Sequence, residues 1–570
     1  MTFPTRKQLA ATVPTFGEMF TPKLVTVLRE GYTMKNLRDD ALAGMTVAVV
    51  ALPLSMAIAI GSGAKPENGL YASIVGGFIV SALGGSRFQI GGPAAAFITL
   101  VAMTSERFGL QGLMLATMMA GAIMLAIGYL RLGTYVKYIP HPVTIGFTTG
   151  IALIILVGQI HDFFGLSVEK EPAAFLAKLT ALWNARDSIS SWTAGMSLLC
   201  VAIILGFRKF APRFPGMIVA IVLAAALTWG FALPVDTIGT RFGGVPSLPP
   251  MPAWPDFPLS RISELLPAAI AIALLGSVES LLSAVVADGM TGRRHRSNCE
   301  LVAQGYANIA SGLFGGVCVT GTIARTATNI RSHAYGPIAG ILHAAFLLAF
   351  MLLAAPLMKH IPLAALAAVL LTVAWNMVER SQILAILRHD RGEASVMAAT
   401  FFLTVFRDLT EGIVVGVTMG SILFMHRMAQ LVEVQTHQPL FDEDRSDFSD
   451  PDRKAYTGTE NGDVVVYRIA GPFFFGAAGT VSEVLERLGQ TPKFFIIDLS
   501  AVPFVDTTGV EALIGFVDKS RKTGTKVYVA AAAEGVARVL RQHGLSDDSI
   551  AYFDSIESAR AKAAQHLSKQ

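Results

Sequence analysis

What most limits the folds open to this chain is a set of apolar runs that are too long and too free of charge for a soluble core. Three of them, 217-MIVAIVLAAALTWGFAL-233, 338-IAGILHAAFLLAFMLLAAPL-357 and 362-PLAALAAVLLTVAWNMV-378, contain no Asp, Glu, Lys or Arg. Each approaches the roughly 20 residues that the hydrocarbon core of a bilayer demands of a helix. With 53% of the 570 residues hydrophobic and only 15% charged, an ordinary soluble globule is excluded. A multi-span α-helical membrane protein is expected.

Apolar segments number about fourteen, near 41–62, 69–84, 92–104, 110–129, 141–160, 193–207, 214–233, 263–287, 299–315, 320–331, 336–356, 361–378, 394–407 and 411–429. Basic residues test that order, because Lys and Arg collect in short cytoplasmic loops. Arg6 to Arg38 precede the first span, Arg87 follows the second, and Arg131 and Lys137 follow the fourth. Arg208, Lys209 and Arg213 follow the sixth, Arg293, Arg294 and Arg296 the eighth, Arg331 the tenth, and Arg380, Arg388 and Arg391 the twelfth. All fall on one side, so both termini are expected in the cytoplasm of a cell with a bacterial-type inner membrane. Residues 1–40 form a polar N-terminal segment without the basic-then-apolar pattern of a cleaved signal. A net charge of +4 gives no case for nucleic acid. Cys200, Cys299 and Cys318 show neither CxxC spacing nor even pairing and read as buried thiols.

The transmembrane region is thus 41–430. Polar, acidic residues 431–462 read as a linker, and 463–570 as a small α/β domain. In that domain Val464 to Ile469, 494-FFIIDLS-500 and 526-KVYVAAA-532 are strand candidates, with helical patterns at 479–488 and 509–524.

Two of the apolar stretches, 91-GGPAAAFITLVAM-103 and 319-VTGTIARTATNI-330, are too short to span and are broken by Gly, Pro or Thr. A break of this kind frees backbone N–H groups and is tolerated only beside a polar cavity. Two in corresponding positions of two halves point to a transporter's substrate site. If the amino ends face each other, their N–H groups and partial positive charges converge on one point suited to an anion. Small residues, Ala94, Ala95, Ala96, Gly321, Thr322 and Ala324, allow close approach, and Thr320 and Thr322 add hydroxyl donors; tight helix packing is the plainer use of such residues. Arg325 inside a membrane helix needs an anion, a carboxylate or water. It either holds substrate, pairs with Glu279, or snorkels to the cytosolic edge. Glu279, within 275-LGSVESLLSA-284, suggests proton or Na+ coupling, with Ser277 and Ser283 as further oxygen donors; an ion pair with Arg325 is the structural alternative. Asp288 reads as a helix-end residue beside 292-GRRHR-296, and His141, His333 and His343 as interfacial or packing histidines. Walker A, HExxH and GxSxG patterns are missing, so no enzyme is expected.

The segments 52-LPLSMAIAIGSGAKPENGLYASIVGG-77, 84-GGSRFQIGGPAAAF-97, 275-LGSVESLLSAVVADGMTG-292 and 319-VTGTIARTATNIRS-332 together resemble the SulP (sulfate permease) anion transporters, which carry a C-terminal STAS domain. The resemblance implies two inverted seven-span repeats arranged as core and gate domains, elevator-type transport, and a homodimer. It places the anion among Pro93, Ala94, Ala95, Ala96, Phe97, Thr320, Gly321, Thr322, Ile323, Ala324 and Arg325, with Leu54 and Ser55 after the first-span Pro53. It places proton or cation coupling at Glu279, beside which Ser283 is the neighbouring-turn oxygen, with Na+ as a candidate metal there and no other cofactor. Leu54 and Ile58 stand where many relatives have glutamine and tyrosine, and Thr322 and Ala324 where the motif has serines. The turn 504-FVDTTGVEAL-513 resembles the STAS turn in which a hydroxyl, here Thr507, is phosphorylated; a helix cap by Asp506 or Thr507 is the simpler reading. The expected activity is secondary active transport of sulfate or bicarbonate coupled to H+ or Na+. The rivals are an uncoupled exchanger or channel, a dicarboxylate carrier and a membrane sensor. Expected partners are the small anion, the bilayer, a second copy and a STAS-binding protein.

Overall fold

Helices account for nearly all of the membrane region in the computed structural model. The structure describes residues 15–134, 140–168, 172, 174–211, 216–407, 409–430, 433–436, 463–475, 492–547 and 549–568. They divide into two units, Met1–Val417 and Thr418–Gln570.

The first unit begins its spans with α1, Met34–Gly61, where the Thr33 hydroxyl accepts the Asn36 N–H. α2 runs from Pro66–Tyr71 through a π turn at Ala72–Gly76 to Gly77–Leu83. α3, Ile98–Tyr129, breaks at Gly109, whose φ of +71° only glycine adopts without strain; this break separates the expected third and fourth spans. Then follow α4 His141–Gly158, α5 Ser191–Phe210, α6 Gly216–Phe231, α7 Ile262–Thr291 and α8 Ser297–Leu313. The short α9 is Ile323–Arg331, and α10 Ile338–Met358, α11 Leu363–Met377 and α12 Arg391–Phe406 follow; the last of the series, α13 Leu409–Gln430, begins in the first unit and ends in the second. A helix therefore lies in each expected segment, and among the described residues eight helices are long and apolar enough to cross a bilayer by length and composition.

The heaviest packing falls within two groups of helices, with α1 also meeting α6 and α11 across them. α1 packs on α10, and α3 on α7 and α8; α4 packs on α11 and α12, and α5 on α6 and α11. Small residues set the spacing: a Cβ on Gly121 of α3 would stand 2.6 Å from the Gly305 carbonyl of α8, so the two backbones touch. Hydroxyls inside helices mostly bond back to their own turn, as Ser62 to Ile58 O and Thr117 to Leu113 O, 2.7 and 2.9 Å, which keeps those donors from facing lipid unpaired. Cys200, Cys299 and Cys318 are free and buried. Asp288 receives the His295 N–H and ring at 3.0 and 2.7 Å, as a helix-end residue should. His343 is fully buried in α10, whereas His141 and His333 are exposed.

The second unit carries a five-stranded sheet. Two short strands described below precede it in the chain and take the labels β1 and β2. The sheet strands are β3 Glu433–Thr436, β4 Val464–Ala470, β5 Phe494–Ala501, β6 Lys526–Ala530 and β7 Ala551–Phe553, in that spatial order. Only β3 is antiparallel to its neighbour. Strand β3 thus arises inside the segment read as linker. β5 is an almost unbroken apolar run because both its faces are covered. Phe495 and Ile497 pack with α14 (Thr507–Lys522) and α15 (Glu534–Gln542), while Phe494 and Ile496 pack with α16 (Ile556–Leu567). The helix expected at 479–488 and most of the linker lie outside the described residues.

Candidate anion-binding site

The two interrupted stretches meet. β1 (Gly91–Gly92) pairs antiparallel with β2 (Thr320–Gly321), Gly91 opposite Gly321 and Gly92 opposite Thr320. The Thr322 N–H continues the ladder to Ile90 O at 3.0 Å. Immediately beyond, the chain turns into helix on both sides, through a 3-10 turn at Ala95–Phe97 and at Ile323. Two amino-terminal turns are thereby held side by side by backbone pairing. Among the described residues, the amides of Ala95, Ala96, Ile323, Ala324 and Arg325 meet no acceptor, as expected of first-turn N–H groups. Ala95 is 8% exposed and Ile323 38%, so the site opens on the α9 side.

The glycines of this ladder are required by crowding. A Cβ on Gly92 would collide with the Arg325 guanidinium, and one on Gly321 with the Gln89 amide.

Arg325 is 2% exposed. It donates to Ser73 Oγ and Ser55 Oγ, each at 3.0 Å, and to Pro93 O at 3.4 Å. Ser55 and Ser73 lie 2.7 Å apart, so α1, α2, β1 and α9 are tied together by one guanidinium. No carboxylate is within ion-pair distance of it among the described residues, and Nε has no partner. The alternatives of an Arg325–Glu279 ion pair and of a snorkelling arginine are therefore both corrected: the side chain turns inward, onto neutral oxygens. Its charge lies against Pro93, just before the first of the two helix starts, without a fixed counter-ion among the described residues.

Glu279 lies in α7, which is bound to β2 and α9 by hydroxyls. Ser280 Oγ is 2.7 Å from Thr320 Oγ1 and accepts the Gly321 N–H at 3.1 Å, and Ser283 Oγ donates to Thr326 Oγ1 at 3.2 Å. Glu279 itself is 9% exposed and has no hydrogen-bond or ion-pair partner among the described residues. Ser283 stands one helical turn beyond Glu279 on the same face of α7, and a hard cation or a proton suits a carboxylate with such an oxygen on the next turn. Ser277 turns back on Ala273 O at 2.7 Å.

The structure redistributes several expected roles. Thr320 Oγ1 donates to Gly276 O and Thr322 Oγ1 to Ile90 O, both at 3.2 Å, so these hydroxyls build the ladder and are not free donors. Ser55 holds Arg325. Leu54 and Phe97 are buried in the apolar core, Phe97 against Gly276. Ser73, Ser280 and Thr326 were not anticipated; each is a hydroxyl residue in a helix otherwise read as apolar, which is the signal that marks them. In the second unit Asp506 caps α14, accepting the Gly509 and Phe475 N–H groups at 2.8 and 3.0 Å, and Thr507 is exposed in the first turn.

Residues 37–400 match the profile of the Sulfate permease family, and residues 457–559 that of the STAS domain. The Bacillus subtilis (strain 168) protein named "Putative sulfate transporter YvdB" is 36% identical over 521 residues, 90% of this chain and 95% of that protein. Bicarbonate transporter BicA of Synechocystis sp. is 32% identical over 527 residues, 89% of this chain and 90% of its own. The solved transmembrane domain of a cyanobacterium bicarbonate transporter BicA superposes with a TM-score of 0.59 at 31% identity, over 67% of this chain and 98% of that one. SLC26A9 superposes with a TM-score of 0.84 over 95% and 92% of the two chains; at 18% identity this is a likeness of fold. These matches define the class, a multi-span membrane transport protein with a C-terminal STAS domain and not an enzyme. The chain belongs to the Sulfate permease family.

Proposed function

We propose that this chain carries a small inorganic oxyanion, sulfate or bicarbonate, across a bacterial inner membrane by secondary active transport. The observation that carries this reading is the pairing of two helix starts with unpartnered amides beside a buried arginine that has no carboxylate. Helix N-termini favour negative charge, and a cation without a fixed counter-ion adds to that field. An anion arriving at Ala95, Ala96, Ile323 and Ala324 finds amide donors, while Arg325 acts through space and by holding the Pro93 carbonyl back from the site. The names of the relatives supply the two candidate anions. A dicarboxylate is the next candidate, since the site selects charge before shape.

Coupling is assigned to Glu279. A buried carboxylate without a partner is stable only when it takes up a proton or a cation, and Ser283 and Thr326 are the nearby oxygens that would share Na+. Because α7 is bonded to β2 and α9, occupation of Glu279 is felt at the anion site. The helix group containing α1, α2, α3 and α7 to α10 is the moving core of an elevator in this reading, and the remaining helices are the gate. Two inverted repeats, cytoplasmic termini and a homodimer belong to the same proposal, as does a STAS domain that binds a regulatory protein.

Uptake of radiolabelled sulfate and bicarbonate into proteoliposomes, with pH and Na+ gradients imposed singly, tests it. Accumulation that follows one of these gradients is expected. Accumulation against a substrate gradient with both cation gradients abolished refutes coupling, and equilibration alone, with no gradient dependence, makes the protein an uncoupled exchanger or channel.

A further inference from the structure

A cavity of about 640 Å³, lined by Pro53 but by none of the residues of the anion site, lies between α1 and α10 on one side and α6 on the other. Its walls are almost wholly apolar, including Leu52, Val222 and Phe350, and its far end is formed by Trp229, Lys359 and His360. The Trp229 and His360 rings lie tilted at 49° with centroids 6.1 Å apart, and Trp229 is 71% exposed. Lys359 follows the last turn of α10, is exposed, and has no carboxylate within 4.0 Å among the described residues.

We infer that this crevice holds an acyl chain of an anionic phospholipid, with the headgroup on Lys359. The volume is that of a small-molecule pocket and not of a protein interface. The apolar walls exclude the transported anion, and the exposed Val222 and Leu357 among them mark an opening on the surface of apolar helices, where lipid is the solvent. Tryptophan and lysine at one end mark headgroup level, since both have an apolar body and a polar tip. Lys359, without a carboxylate partner among the described residues, selects an anionic headgroup over a zwitterionic one. The crevice also lies on the seam between the two helix groups, so a chain seated there fills the surface along which they meet.

The test uses the full chain in phosphatidylcholine vesicles doped with phosphatidylglycerol or phosphatidylcholine that carries dibrominated acyl chains, which quench nearby indoles. Subtracting the signal of Trp229→Phe isolates Trp229. Brominated phosphatidylglycerol is expected to quench Trp229 at roughly 5-fold lower mole fraction than brominated phosphatidylcholine, the preference one lysine gives near a membrane surface. Lys359→Gln, at an exposed position, should remove the preference, and Ala354→Phe, which fills the crevice, should reduce quenching by either lipid. Equal quenching of wild type by the two lipids, or a preference that survives Lys359→Gln, overturns the inference.

Discussion

Removing the Arg325 charge tests the anion reading most directly. The guanidinium is 2% exposed and its partners are two hydroxyls and a carbonyl, so none of its charge is cancelled locally. For a monovalent anion at the helix starts, taken as about 6 Å away in an effective dielectric of about 20, the Coulomb energy is roughly 2.8 kcal/mol. Relaxation and residual water reduce that by about half, leaving about 1.4 kcal/mol, or ~10-fold in Kd. A divalent anion feels twice the energy. Arg325→Ala is therefore expected to weaken bicarbonate about 10-fold and sulfate about 100-fold. The same truncation leaves Ser55, Ser73 and the Pro93 carbonyl short of a partner, at a cost in stability of about 1–3 kcal/mol. Two variants separate the effects. Arg325→Lys retains charge and loses the planar fork, and Ser55→Ala loses one brace and no charge. Scintillation-proximity binding of radiolabelled sulfate, with bicarbonate as competitor, on monodisperse detergent-purified protein gives both affinities. An Arg325→Ala protein that stays monodisperse and binds sulfate within about 2-fold of wild type refutes the electrostatic argument, and so does a lysine variant as weak as the alanine.

Glu279→Gln should abolish gradient-driven accumulation in proteoliposomes while leaving equilibrium anion binding within about 3-fold of wild type; loss of binding together with accumulation assigns the residue a structural role instead. Gly92→Ala adds a methyl that collides with the Arg325 guanidinium and stands 3.1 Å from Ser73 Oγ, so it should lower anion affinity about 10-fold with no change of charge. Unaltered sulfate binding in that variant means that the Arg325 position is not critical. In the second unit, Asp506→Ala removes the acceptor of two backbone N–H groups and should destabilise the start of α14 by about 1–2 kcal/mol. Hydrogen exchange at the Gly509 amide should accelerate by about 5-fold to 30-fold, and unchanged protection there excludes the capping role.

Hydropathy and the placement of basic residues revealed the helices because lipid offers the backbone no other partner. The break at Gly109 was legible as the gap between two apolar segments, and strands 464–470, 494–501 and 526–530 were legible from apolar runs between turn formers. Strand 433–436 was not, since Glu433 and Gln435 alternate with Val434 and Thr436 on a sheet edge and carry no core signal. The meeting of the two broken stretches was suggested by their matched positions in the two halves, but the β1–β2 ladder was not, because two residues have no period. The neutral partners of Arg325 were not legible in the sequence, which left substrate, Glu279 and the cytosolic edge all open. Sequence logic matches a buried cation to a buried anion, and Glu279 was the nearest candidate. The fold instead gives Arg325 three neutral oxygens and leaves Glu279 unpaired on the neighbouring helix. Serines in membrane helices usually bond to their own turn, as Ser62 and Ser277 do, so Ser55 and Ser73 gave no sign of reaching across. A fixed ion pair between Arg325 and Glu279 would cancel the field that draws an anion in and would occupy the carboxylate that must take up a cation. Kept apart, each buried charge is neutralised only by a species from solution, one of each sign, and that requirement is the physical content of cotransport proposed for this site.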